Sequence, residues 1–175
     1  MTALRVSKGN RGKTQTPGPA RLDASPQAQA RNYVLRALAR RDHPRAALAR
    51  KLRERGFPKA VVRRVLDECV RQKLLDDRRF AARYVHTALT LRGYAPARIR
   101  RELLRKGISN PIASQALEGI DEEAEAEALR RAVERRVRTL APPRTPEARR
   151  RWIAYLRRMG FRPLRIREAL DSLEK

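Results

Sequence analysis

The sequence predicts an all-α protein: three tandem three-helix repeats strung into an elongated, curved array. Three observations carry that expectation. One motif is written three times, as Leu48-Ala49-Arg50-Lys51-Leu52-Arg53-Glu54-Arg55-Gly56-Phe57, as Ile99 to Ile108 and as Trp152 to Phe161, with glycines 51 and 53 residues apart. Beyond each glycine a second pattern holds the same offsets: Val62, Val65 and Leu66, then Ala113, Ala116 and Leu117, then Ile166, Ala169 and Leu170. Before it, Tyr33 and Tyr84 both stand 23 residues ahead of their glycine and Leu38 and Leu89 both 18 ahead, so the unit contains a first helix as well. A fixed period of this kind is the signature of a repeat architecture.

Within the motif an apolar residue lies eight before the glycine and a Leu four before it, with basic residues between. Positions i and i+4 share a helix face, so the Leu48/Leu52 type of pair turns inward and the Arg and Lys residues turn out. Glycine then takes the left-handed conformation that ends a helix, and the apolar residue after it folds back on the last turn.

Taken in order, residues 1–24 carry five cations, one acid and no hydrophobic period, which predicts a disordered basic tail. Ser25-Pro26 opens the first helix as N-cap and first helical position. Asp42 is expected to cap the second, with Pro44 tolerated in its first turn, and the third runs from Pro58 to about Lys73. These make a first unit over 25–75. A second unit, 76–120, starts at Asp76 as cap, with Leu75 and Phe80 placed as a hydrophobic staple. It breaks at Gly93-Tyr94-Ala95-Pro96 and begins its last helix at Ser109 or Asn110. The third unit, 121–175, opens with the acidic block Asp121 to Glu127 and continues into the basic block Arg130 to Arg138, matching the helix dipole. Glu127 with Arg131 and Glu134 with Arg138 fall at ion-pairing distance along it. Pro142, Pro143 and Pro146 force a break, and Thr145-Pro146 opens the helix that carries Trp152.

Composition limits the function classes. In 175 residues there are 43 Lys and Arg against 19 Asp and Glu, a net charge of +24, and most of the cations are Arg. Arginine suits phosphate and carboxylate recognition, and an excess of this size implies a polyanionic partner, most simply nucleic acid. The charge is spread along the chain, +10 over 26–75 and +5 over each later unit, which fits contact along a length. One cysteine excludes an internal disulfide, and Cys69 sits where Ile120 and Leu173 sit in the other units, a core position. Two histidines with one cysteine do not make a four-ligand zinc site, so no metal and no cofactor is expected. No apolar run reaches the roughly 20 residues that span a bilayer, and the chain reads as cytoplasmic. No carboxylate pair, nucleophile with a base or Gly-rich phosphate loop stands out, so an enzyme is not expected.

Several runs of the chain resemble a known family. Ala39-Arg40-Arg41-Asp42-His43, Lys51 to Phe57, Leu74-Leu75-Asp76-Asp77-Arg78-Arg79-Phe80-Ala81, Arg92 to Pro96, Ile99 to Leu103 and Lys106-Gly107-Ile108 closely resemble the bacterial RecX family. The resemblance covers residues 26–174 and is looser in the third unit. Two departures are visible: Pro44 stands where the family usually has a serine, and the basic tail is an addition. The resemblance implies a modulator, mainly an inhibitor, of the RecA recombinase in recombinational repair. Such proteins lie in the groove of the RecA filament on single-stranded DNA, bridge protomers, slow ATP hydrolysis and strand exchange, and favour filament shrinkage. The charge of +24 over all segments leads in addition to an expectation of binding to single- and double-stranded DNA with little sequence preference, and a monomer without membrane attachment is expected.

The rival reading is a sequence-specific helix-turn-helix transcriptional regulator, since helix, glycine turn and helix resemble that motif. Its recognition helices would start at Pro58-Lys59-Ala60-Val61, Asn110-Pro111-Ile112-Ala113 and Pro163-Leu164-Arg165-Ile166, which offer few base-reading side chains. The expected contacts to RecA or DNA lie on the outward faces of the second helices and their joints: Arg50, Arg53, Arg92, Arg98, Arg101, Arg105, Lys106, Arg151, Arg157 and Arg158. Trp152 matches Leu48 and Ile99 and belongs to the core. Tyr155 matches Lys51 and Glu102 and is the candidate base-stacking platform.

Overall fold

The computed structural model describes residues 25–140 and 142–173; the expected disordered tail over 1–24 lies outside the described residues. Among the described residues there are nine helices and no strand. They run α1 Pro26–Arg40, α2 Arg45–Glu54, α3 Lys59–Arg71, α4 Asp77–Thr90, α5 Pro96–Arg105, α6 Asn110–Leu117, α7 Glu122–Val137, α8 Pro146–Met159 and α9 Pro163–Asp171. The tandem all-helical array is as the period implied.

The three motif copies close their helices in the same way. The N–H groups of Phe57, Ile108 and Phe161 donate to the carbonyls of Leu52, Leu103 and Leu156 at 3.2, 3.1 and 3.3 Å. The glycine N–H groups donate to Arg53, Leu104 and Arg157 at 2.9, 2.9 and 3.0 Å. That double bond pattern satisfies carbonyls a helix end leaves open, and it requires the positive φ of 82°, 85° and 96° at Gly56, Gly107 and Gly160.

Three hydrophobic clusters follow. Val34, Leu48, Leu52, Val65 and Leu66 form the first, with Cys69 1% exposed among them. Val85, Ile99, Leu103 and Ile108 build the second, and Leu129, Trp152, Leu156, Phe161 and Ile166 the third. Trp152 is fully buried, as its alignment with Leu48 and Ile99 required. Burial pushes the Cys69 thiol above its ordinary value, which suits a packing role.

The caps depart from expectation at one place. Ser25, Asp76, Asp121 and Thr145 accept from the first-turn N–H groups of their helices. Asp42 does not cap α2. Pro44 occupies the N-cap position without a side-chain bond, and the Arg45 N–H donates instead to Asp77 Oδ1 of the next unit at 2.8 Å. Asp42 is turned to Arg83 at 2.6 Å, also in the next unit. With His43 and Pro44 extended and buried between Asp42 and the helix, the carboxylate is led away from the orphan N–H groups, and a second unit supplies the acceptor. The first unit is thereby capped by the second.

The second and third units are joined more intimately. Ala95, the N-cap of α5, is buried in the third cluster and donates its N–H to the Met159 carbonyl at 3.0 Å. The last carbonyls of α4 and its exit, Thr90, Leu91 and Arg92, accept from Arg131 at 3.2 Å and from Arg135 at 2.5 and 2.9 Å. Two cations of the α7 basic block are therefore spent on a helix C-terminus, where positive charge is favoured. Of the two ion pairs read along α7, Glu127 with Arg131 forms at 2.9 Å, whereas Glu134 holds no ion pair among the described residues.

Candidate nucleic-acid interface

The closing glycines of α5 and α8 abut the first turns of α2 and α5, Gly107 at Ala46 and Gly160 at Arg98, and arginines of the three second helices border two neighbouring grooves. A groove of about 500 Å³ lies between α2 and α5, with Arg41, Arg50 and Lys51 on one side and Arg105 and Lys106 on the other. The next, about 530 Å³, lies between α5 and α8 and is lined by Arg98, Arg101, Glu102, Arg105, Arg157 and Arg158. Glu102 and Arg105 border both, so the two grooves adjoin at α5.

Between them lies a compact polar network. Tyr84 of α4 donates its hydroxyl to Glu102, Arg98 Nε donates to the same carboxylate at 3.1 Å, and Arg105 stands 3.7 Å from it. The Arg98 guanidinium also stacks 3.7 Å over the Tyr94 ring and donates to the Arg158 carbonyl at 3.1 Å. Arg92 lies 5.8 and 6.0 Å over the Tyr84 and Tyr94 rings, and Lys106 lies 5.2 Å over Tyr84. Burial alone would raise the Glu102 carboxyl. The Tyr84 and Arg98 hydrogen bonds and the charges of Arg98 and Arg105 outweigh it and hold the group below its ordinary value. Burial and then the bond to Glu102 push Tyr84 up to about 12.

These shifts set a pH dependence. The folded carboxyl of Glu102 is the stronger acid, so its contribution is present above its unfolded value of 4.5 and is lost as pH falls through the lower folded one. Tyr84 is the opposite case, contributing below 10 and losing its contribution as pH rises toward about 12. Glu102→Gln is expected to lower stability by about 1–2 kcal/mol at pH 7, because two donors lose a charged acceptor, and by clearly less at pH 3. Denaturant titrations at the two pH values measure the difference; equal losses would mean the carboxylate charge plays no part.

Each expected contact residue has a definite place. Arg50, Arg101, Arg105, Lys106, Arg157 and Arg158 are exposed and border the two grooves. Arg53 is exposed but faces a separate hollow with Arg45, Lys59 and Arg63 between α2 and α3. Arg92 is exposed on the ring stack, and Arg151 is exposed on α8 without lining either groove. Two expected contacts sit less openly than the sequence implied. Arg98 lines the α5/α8 groove, but its side chain is 24% exposed and is held by Glu102, Tyr94 and the α8 end. Tyr155 is not an open stacking platform, since its ring is half-buried against the third cluster and covered by Arg136 at 4.9 Å. An α7 cation reaches it because α7 and α8 share that cluster, a long-range fact that alignment of the motif copies omits.

Lys51, Arg41 and Glu102 were missed. Lys51 and Glu102 occupy the same motif position, five before the glycine, at the edge of the buried stripe. A lone acid at a stripe edge among cations was the available signal for Glu102.

Fold and surface together define a class: an all-helical tandem-repeat protein with two adjoining, mainly cationic grooves along its second helices. Two family models match, "RecX, first three-helix domain" over residues 30–69 and "RecX, second three-helix domain" over 76–117. A regulatory protein RecX of Halorhodospira halophila is 38% identical over 147 residues, covering 83% of this chain and 88% of that one. One of Mycobacterium sp. (strain KMS) is 36% identical over 133 residues, covering 71% and 73%. In structure the chain is similar to RecX from Lactobacillus salivarius, with a TM-score of 0.70 at 20% identity over 86% of this chain and 98% of that one. It is also similar to a second regulatory protein RecX, with a TM-score of 0.69 at 26% identity over 85% and 73%. The chain belongs to the RecX family of regulatory proteins.

Proposed function

We propose that this protein regulates the RecA recombinase, mainly as an inhibitor, by lying along the RecA filament on single-stranded DNA. The observation that carries this reading is the set of exposed cations bordering the two adjoining grooves of α2, α5 and α8, matched to a polyanion contacted along a length. Three units, 25–75, 76–120 and 121–175, place those cations against successive parts of one filament. Bridging them reduces ATP hydrolysis, strand exchange and filament growth. The chain acts in the cytoplasm as a monomer, without catalysis of its own. The family's printed name, regulatory protein, supports the regulatory role. In an assay of RecA ATPase on single-stranded DNA, titrating in the protein is expected to depress turnover to a plateau; full turnover at saturation would refute the proposal.

DNA alone is expected to bind with little sequence preference. Neutralising several phosphates releases counterions, so affinity should fall steeply, by roughly 10³-fold or more between 50 and 200 mM salt for six or more contacts. Fluorescence anisotropy on unrelated single and double strands measures this. Salt-insensitive binding to one duplex would favour the sequence-specific helix-turn-helix alternative.

A further inference from the structure

The third unit departs from the other two in how its first and third helices meet. One side of α7 is committed to the second unit: a Cβ on Gly93 would sit 3.0 Å from the Ala128 carbonyl and 3.2 Å from the Ala132 nitrogen, and Arg131 and Arg135 hold the end of α4. The other side of α7 is then only partly covered by α9, and a groove of about 370 Å³ opens between them. Its floor is apolar, with Leu129, Val133, Phe161, Ala169 and Leu173.

Charge distinguishes this groove from the rest of the surface. Arg130 and Arg165, the cations that border it, are already paired, Arg130 with Glu123 at 3.0 Å and with Glu127, Arg165 with Glu122 at 2.9 Å and Glu168 at 3.4 Å. Glu125 and Glu134 also border it, and neither holds an ion pair among the described residues. Nine residues apart on α7, they stand roughly 13 Å along the helix and half a turn around it, one on each edge of the face that carries Leu129 and Val133. On a chain of net charge +24, this is an apolar trough whose α7 face carries an unpaired carboxylate on each edge.

The geometry points to a protein-docking site in the α7/α9 groove for a cationic amphipathic helix of a partner protein, its apolar stripe laid on Leu129 and Val133 and its flanking Lys or Arg set against Glu125 and Glu134. Helix-in-groove recognition lays an apolar stripe on an apolar floor, and polar groups on either side fix its register. The charge complementarity selects the occupant, because the acidic edges repel nucleic acid and acidic segments alike. The site is separate from the α2/α5/α8 grooves and independent of whether those grooves engage RecA or DNA.

The test uses the full chain and two fluorescein-labelled 14-residue helical peptides. One carries leucines at i, i+3, i+4 and i+7 with lysines at i−1 and i+8, nine apart and so one on each side of that stripe; the other is identical with glutamates in place of those lysines. Despite the net charge of +24, the lysine peptide is expected to bind about tenfold more tightly than the glutamate peptide, and Glu125→Lys/Glu134→Lys should reverse that order. Glu125→Gln/Glu134→Gln, the milder change, should erase the preference with unaltered helical circular dichroism. Tighter binding of the glutamate peptide to the unaltered chain, the same preference in all three proteins, or binding of neither peptide would overturn the assignment.

Discussion

Replacing Gly160 by alanine is expected to lower the melting temperature by about 4–20 °C, whereas Gly56→Ala should lower it by only about 2–8 °C. Both glycines have a positive φ and close their helices by the same two hydrogen bonds, so strain from the left-handed backbone, about 1–2 kcal/mol, is common to both. The difference is the neighbour. A Cβ on Gly56 meets nothing within 4 Å, while one on Gly160 would lie 2.9 Å from the backbone nitrogen of Arg98 and 2.7 Å from its Cβ. That backbone is the first turn of α5, whose N-cap Ala95 bonds the Met159 carbonyl. Relief requires the third unit to slide off the second, adding about 1–3 kcal/mol, and 1 kcal/mol moves the midpoint by roughly 2–4 °C at this size.

Gly107 provides the internal control. Its Cβ would lie 2.3 Å from the Cβ of Ala46, in the first turn of α2. The obstacle there is a side-chain methyl, so Ala46→Gly should recover much of the loss in Gly107→Ala, a rescue that Gly160→Ala has no equivalent for. Thermal melts of the four variants measure these differences. Equal losses at Gly56 and Gly160 would show that the joint tolerates displacement and that only the turn strain matters.

That pairing of roles explains how far the sequence could be read. The helix ends were legible because a left-handed residue followed by an apolar one is a local requirement, met identically at Gly56, Gly107 and Gly160. Helix faces were legible for the same reason: Leu48, Ile99 and Trp152 occupy one position and all are fully buried. What was not legible was every contact between units. Asp77 caps α2 across a separation of 32 residues, and Arg135 caps α4 across 43 and 44. No spacing rule encodes such pairs, since they depend on how one unit is set against the next. Arg98 shows the consequence for the candidate site. It stands about 120° around α5 from the Ile99/Leu103 stripe against about 180° for Arg101, and Glu102, Tyr94 and the end of α8 together hold it in.

The groove cations should be separable from the total charge. Arg101→Glu, Arg105→Glu and Arg158→Glu together are expected to weaken binding to single-stranded DNA, and to the RecA filament, by about two orders of magnitude at moderate salt, with a shallower salt dependence. All three are exposed, and the only ion pair they hold among the described residues is that of Arg105 with Glu102, which Arg98 also serves, so the melting temperature should change little. The matched control is Arg63→Glu, Arg64→Glu and Arg71→Glu on α3, exposed residues outside both grooves. It removes the same charge from the chain and is expected to weaken binding no more than about tenfold. Substitution is the sharper probe here than deletion of residues 121–175, because deletion would strip α8 from Ala95 and the arginines of α7 from the end of α4, confounding lost contacts with lost folding. If the α3 control loses as much affinity as the groove variant, the protein is held by its net charge alone, and the alignment of α2, α5 and α8 is a consequence of repeat packing with no part in binding.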